Sequence, residues 1–337
     1  MEITEIDNLD RQILDLLQRE FPIASQPFLI LGHKLGLTED ETLMRISNLR
    51  KKGFIRQISA IFDTKQLGYD SCLVAIQLPP ERLDESAAVI SAHPGVSHNY
   101  SRSHLFNLWF TIATPPGEEL ADAVRKLTDR AGAVATLLFP ALRTFKLCVK
   151  LDVTGSKDPT STDKEVNSPQ HLIQETALPP LAGIEIASIR ELQEDLPIKK
   201  RPFQDMAKRL GMTEDDLFVI ASNFIDHGRM RRFAAVLRHR EVGFKANAMG
   251  VWTVPSQDVE RAGRGFAAFQ AVSHCYERPS YPPVWPFNIL TMVHAQTKEE
   301  CINILRAMSE NVGIMEYDYL FSEKEYKKAR VRYFDGP

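Results

Sequence analysis

Cysteine is scarce: the 337-residue chain has four, Cys72, Cys148, Cys275 and Cys301, widely scattered and never as CxxC. That spacing excludes the common zinc and iron–sulfur signatures, and a disulfide framework is not expected in a chain of this size. A basic excess is also missing, because 41 Lys and Arg face 44 Asp and Glu for a formal net charge of −3. Proteins that grip duplex DNA gain affinity by neutralising phosphates, and they usually carry a basic surplus on at least one face. No stretch approaches the roughly 18 consecutive apolar residues of a membrane span. The opening MEITEIDNLDRQIL is acidic and lacks an apolar run, so it is not read as a signal peptide. Together these absences predict a reduced, soluble, cytoplasmic protein with no membrane partner.

What the sequence does have is an internal repeat, and enough apolar side chain (44%) for more than one core. A shift of 175 positions places Pro22, Pro27 and Phe28 on Pro197, Pro202 and Phe203 without a gap. Leu35, Gly36, Thr38, Glu39 and Asp40 fall on Leu210, Gly211, Thr213, Glu214 and Asp215, and Gly53, Arg56 and Gly68 recur as Gly228, Arg231 and Gly243. Between the copies, VTGSKDPTSTDKEVNSPQ has the composition of a linker. Each copy begins with apolar residues at helical spacing. A Gly-Leu-Thr break leads into a third helix with Thr38 as its N-cap, and FIRQISAIFD alternates like a β-ribbon. That is a winged helix-turn-helix. The rest reads strand, helix, strand, strand, helix, strand, the ferredoxin-like split βαβ pattern.

The expected fold is therefore α+β, two tandem copies of a winged helix-turn-helix followed by a ferredoxin-like βαββαβ domain. The predicted boundaries are residues 1–62 and 63–152 for the first copy, 153–180 for the linker, and 181–237 and 238–337 for the second copy.

One motif carries chemistry. Val-Ser-His-x-Tyr-x-Arg occurs at Val96–Arg102 and again at Val272–Arg278. Residues two apart on a strand share a face, so His98, Tyr100 and Arg102 are expected to project together, as are His274, Tyr276 and Arg278. The bland alternative is a polar interface between subunits or domains, where Tyr and Arg are favoured anchors. The copies differ downstream. Pro279 to Pro286 is an insertion that leaves His104 without a clear counterpart, and Trp109 aligns with Leu290.

The stretch LDRQILDLLQ…LGLTEDETLMRISNLRKKGFIRQISAIFD…LGY resembles the Lrp/AsnC family, in which a winged helix precedes a ferredoxin-like ligand-binding domain. The duplicated motif, with NLWFT after His98 and Phe287-Asn288…Thr291-Met292-Val293-His294 after His274, resembles the siroheme decarboxylases, an enzymatic branch of that family. Those enzymes are built from two related subunits, and this chain looks like both fused. The resemblance implies removal of the carboxyl groups from two acetate side chains of siroheme. The product, didecarboxysiroheme, leads to haem or to a modified haem.

Such a substrate bears many carboxylates, for which Arg56, Arg102, Arg231 and Arg278 are the candidate partners. Tyr100, Trp109, Tyr276 and Trp285 are candidate walls for the macrocycle. Imidazole is the natural proton donor near neutral pH. His98 and His274 are the expected donors, with His104 as an alternative donor or axial iron ligand and His294 as a substrate-binding candidate. No cofactor and no protein-built metal site is expected, since iron enters with the substrate. The expected assembly is a homodimer or an intramolecular pseudo-dimer through the ferredoxin-like domains.

Two other readings stand beside this one, a DNA-binding regulator and a tetrapyrrole sensor without catalysis. Against the first, the third helix would start with Glu39-Asp40-Glu41 in one copy and Glu214-Asp215-Asp216 in the other, where a DNA backbone would approach. Thr42 and Arg45, read as groove-facing positions, become Leu217 and Ile220. The basic runs Arg50-Lys51-Lys52 and Arg229 to Arg232 remain available for phosphates.

Overall fold

A computed structural model describes residues 6–19, 21–147, 161–162, 178–237 and 246–335. The first winged helix contains α1 (Asn8–Arg19), α2 (Pro27–Leu35), α3 (Glu39–Lys51) and the wing strand β1 (Ile55–Phe62). Its ferredoxin-like unit follows as β2 (Asp70–Gln77), α4 (Leu83–Ala92), β3 (Val96–Arg102), β4 (Leu108–Thr114), α5 (Leu120–Ala131) and β5 (Ala135–Phe139). A further strand, β6 (Arg143–Leu147), lies beyond the predicted set. The second copy runs α6 (Gly183–Leu192), α7 (Gln204–Arg209), α8 (Glu214–Asp226) and β7 (Met230–Leu237). It continues with β8 (Ala246–Trp252), α9 (Val259–Ala268), β9 (Val272–Glu277), β10 (Ile289–Ala295), α10 (Lys298–Val312) and the long β11 (Tyr317–Lys328). Most of the predicted linker, together with Cys148, lies outside the described residues.

The local signals act where they were read. Thr38 and Thr213 each close a capping box, with Glu41 and Asp216 reaching back to the cap amide. The first-turn acids thus serve the helix end and its dipole. Gly36 and Gly211 sit at φ +69° and +68°, the left-handed conformation that the tight turn before the third helix requires.

The two copies pair through their strands at three places. Each ferredoxin-like unit has its own sheet, and both belong to one nine-stranded order, β5-β2-β4-β3-β11-β8-β10-β9-β6. The end of β11 runs past its own unit to pair with β3, while β6 crosses the other way to pair with β9. Phe145 on β6 packs in the apolar core of the second unit, its ring where a Cβ on Gly263 would stand. The wings follow the same rule: β1 pairs antiparallel with β7, so the expected ribbon forms between copies and not within each winged helix. A hairpin inside one copy would leave an edge strand exposed, and pairing across copies covers it. Both winged helices then share one core, from Leu14, Phe28 and Ile46 to Leu217, Phe224 and Phe233.

Helices cover the outer faces, and the inner faces of the two sheets meet. Ala75, Trp109 and Phe139 pack there against Met249, Val251, Trp285, Leu290 and Leu320. After β11 the chain fastens the winged-helix pair to the sheets. Tyr333 bonds Thr64 at 2.7 Å through its hydroxyl, and its amide donates to Gln193 Oε1 at 2.8 Å. Among the described residues no helix is long and apolar enough to cross a membrane.

Candidate functional site

Each Ser-His pair stands on a β-bulge. In β3 the ladder passes from Val96 opposite Ile112 to His98 opposite Thr111, skipping Ser97. In β9 it passes from Val272 opposite Val293 to His274 opposite Met292, skipping Ser273. A bulge re-aims side chains locally, and here it places the serine hydroxyl on its neighbour's imidazole. Ser97 Oγ is 3.0 Å from His98 Nδ1, and Ser273 Oγ is 2.7 Å from His274 Nδ1. That contact orients each ring through Nδ1.

The predicted trios assemble. His98 stacks with Tyr100 at 6.2 Å, and His274 lies 6.1 Å from Tyr276. Arg102 donates to Leu320 O at 2.9 Å, and Arg278 donates to Phe139 O while lying 4.6 Å from the Tyr276 ring centre. The Nε atom of each guanidinium is buried with no hydrogen-bond partner. Burial holds the Arg102 guanidinium down at about 10 and lowers Arg278 as well.

Around these matching trios the two copies diverge. By strand register Lys328 stands opposite His98, and Leu147 stands opposite His274. Arg56 donates to Lys328 O at 2.8 Å. Its repeat partner Arg231 is closed instead by Asp63, through bonds of 3.0 and 2.7 Å. The repeat position of Asp63 is Arg238, which lies outside the described residues. Burial first, then the charges of Lys328 and Arg56, push the His98 imidazole down to about 4, so it is neutral at pH 7. In the second copy His294 holds Ser273 Oγ at 2.6 Å through Nε2 and Asn247 Oδ1 at 2.6 Å through Nδ1. The first copy has Ala113 and Ser71 at those register positions. His294 thus tethers the second trio to the protein.

His104 does not join the His98 group. It lies in the loop at the far end of β3, accepts the Phe106 amide at 3.1 Å through Nδ1, and meets Trp285 edge-to-face at 5.4 Å. Burial lowers its pKa. Trp109 and Trp285 are 1% and 0% exposed. Trp109 stacks on Phe139 at 5.4 Å and donates to Phe106 O at 2.7 Å. The expectation that these two indoles form macrocycle walls is corrected: they fill the layer between the sheets, and Tyr100 and Tyr276 are the ring faces beside the histidines.

Three basic residues, one of them opposite His98 and the other two acting on each other's charge, were not read from the sequence as site residues. They are Lys328, Arg330, which donates to Ser59 Oγ at 2.6 Å and Ala60 O at 3.1 Å, and Arg232. The strand that carries Lys328 pairs with the other copy, which no local window of sequence shows.

The groove-facing assignments also need correction. Thr42 and Leu217 are both fully buried, so their exchange belongs to the core. Arg45 donates to Asp7 and Asp10, each at 2.8 Å. Of the basic runs, Arg50 bonds Asp195 at 2.9 Å, and Arg229 is 6% exposed beside Glu185. Lys200 pairs with Asp40 at 2.8 Å, tying one copy to the helix start of the other. Among the described residues no group of three or more His, Cys, Asp or Glu converges to hold a metal ion.

A winged-helix pair fastened to two facing ferredoxin-like sheets defines a fused, two-copy protein of the AsnC-like ligand-binding class. An AsnC-like ligand binding domain matches residues 66–146 and 241–327, and a siroheme decarboxylase NirDL-like HTH domain matches residues 10–56 and 185–231. The siroheme decarboxylase of Hydrogenobacter thermophilus is 39% identical, over 96% of this chain and 94% of its own length. The siroheme decarboxylase beta subunit of Methanosarcina barkeri is 43% identical over 44% of this chain and 97% of itself, a half-length relative. A crystal structure of the siroheme decarboxylase NirDL in co-complex with an iron-uroporphyrin III analogue superposes with a TM-score of 0.74. It is 35% identical and covers 97% of this chain and 95% of that one. The chain belongs to the siroheme decarboxylase family.

Proposed function

We propose that this chain is a carboxy-lyase that removes the carboxyl groups of two acetate side chains of siroheme, giving didecarboxysiroheme, and that the work is done at the His98 trio. The observation that carries the choice of site is the register pair Lys328 and Leu147: the first copy meets an anionic substrate with added positive charge, the second with a leucine. Family membership supports the substrate.

In each turn the bond from the acetate methylene to its carboxylate breaks and carbon dioxide leaves. The electron pair passes into the adjoining pyrrole, and a proton then converts the methylene to a methyl. The macrocycle is its own electron sink, so no further cofactor is needed, and the iron belongs to the substrate. His98 is the donor. It is neutral in the free protein, and substrate carboxylates offset Arg56 and Lys328, raising its pKa so that it takes up the proton it delivers. Tyr100 supplies a flat wall. Arg102, buried and bonded to the Leu320 carbonyl, holds a charge ready for a carboxylate.

The test is anaerobic incubation of the purified protein with siroheme, followed by mass analysis. Two successive losses of carbon dioxide are expected. Tight binding with unaltered siroheme would refute catalysis and leave a sensor.

A further inference from the structure

Resting on that reading, we propose that Asn247 and His294 are positioning residues. Through Ser273 they hold His274 in its Nδ1–H tautomer, whereas Ser97 holds His98 in the Nε2–H tautomer, so that only the first copy's ring has a proton to give from Nε2.

In the second copy a chain of hydrogen bonds places the protons one at a time. Asn247 Oδ1 is an acceptor only, so His294 Nδ1, 2.6 Å away, carries a proton. A neutral imidazole has just that one, and His294 therefore turns a lone pair on Nε2 towards Ser273 Oγ at 2.6 Å. The same hydroxyl lies 3.4 Å from Met292 O, again an acceptor. Ser273 owns a single hydrogen, and both of these groups call on it. His274 Nδ1, at 2.7 Å, then has to donate to Ser273 Oγ. With its proton on Nδ1, the neutral His274 ring has none on Nε2.

The first copy is wired differently. By strand register Ala113 and Ser71 stand where His294 and Asn247 stand in the second, so the chain ends at the serine. Ser97 is 5% exposed, and a buried hydroxyl is costly unless its hydrogen finds an acceptor. His98 Nδ1 is 3.0 Å away. It is able to accept because enclosure keeps the ring neutral at pH 7. Ser97 therefore donates, and the His98 proton sits on Nε2.

The two Val-Ser-His-x-Tyr-x-Arg motifs thus do different work for a reason outside the motif, in the strands β8 and β10 that carry Asn247 and His294. Protonating the carbon that carbon dioxide has left needs a group with a proton to give. His98 has one on Nε2, while His274 has first to take one up.

The test is long-range proton–nitrogen NMR correlation of the full chain, with isotope-labelled histidine, at pH 8 and without ligand. It reads which nitrogen of each ring is protonated. The two rings are identified by the signals that vanish in His98→Gln and in His274→Gln, and thermal melting confirms the fold of every variant. The wild type is expected to show His274 protonated on Nδ1 and His98 on Nε2. Asn247→Leu removes the acceptor that orders the chain, so the His274 proton should move to Nε2, whereas Ser71→Ala at the twin position should change neither ring. Wild-type His274 protonated on Nε2, wild-type His98 protonated on Nδ1, or a His274 ring unmoved by Asn247→Leu would overturn the proposal. If the tautomers are as stated yet siroheme stays intact, the positioning stands and the proposed catalysis falls. Two losses of carbon dioxide with both rings in one tautomer would mean the reverse.

Discussion

The His98 imidazole makes the chain's stability depend on pH in a way that can be isolated. Enclosure and the charges of Lys328 and Arg56 lower its folded pKa to about 4, whereas an unfolded chain offers a histidine of about 6.5. The unfolded state therefore binds the proton first. Stability is fully present above about pH 6.5 and is lost as pH falls from there towards the folded value. The full span corresponds to about 3 kcal/mol, of which about 2 kcal/mol is already gone at pH 5. The perturbation is His98→Gln, which keeps polarity and cannot titrate. Urea unfolding of both proteins at pH 7.5 and pH 5 gives four free energies, and every other titrating group cancels in the double difference. The wild type should lose about 2 kcal/mol more than the variant between the two conditions. Equal losses would show that His98 carries no such penalty, and the picture of an imidazole kept neutral by burial, with Lys328 and Arg56 adding to it, would fail with it.

Two further outcomes concern the frame around the site. Gly263→Ala puts a methyl 2.3 Å from the Phe145 ring, so the crossing strand must shift, at a cost of about 1–3 kcal/mol in chemical unfolding. Phe145→Ala should abolish most of that cost when combined with it, and additive effects would contradict the close packing of β6 on α9. A mobility shift with the chain's own upstream DNA should show no salt-sensitive complex, because Arg45, Arg50 and Arg229 are engaged with acids inside the protein. A complex that weakens steeply with salt would reopen the regulator reading.

Much of this was legible because it is local. Capping boxes at Thr38 and Thr213, the glycine turns at Gly36 and Gly211, and the alternation of the strands all act within a few residues. The duplicated trio was readable for the same reason, since a strand's period of two dictates which side chains share a face. What could not be read is pairing between copies. Nothing within FIRQISAIFD says that its partner is β7, and nothing within the last strand says that Lys328 ends opposite His98. The bulges at Ser97 and Ser273 are likewise visible only once a partner strand supplies the register. Trp109 and Trp285 were misplaced because a large aromatic beside a candidate site reads alike whether it faces a ligand or a second sheet. Thr42 was misplaced because the helix face that looks outward in an isolated winged helix is decided by how its neighbours pack.

The central claim is that one of two nearly identical trios does the chemistry, and paired variants test it most directly. His98→Gln and His274→Gln are each incubated anaerobically with siroheme, and the products are separated by mass. The account predicts that His98→Gln binds siroheme and releases no carbon dioxide, while His274→Gln still removes both carboxyl groups. Full turnover by His98→Gln, or its loss only in His274→Gln, would contradict it.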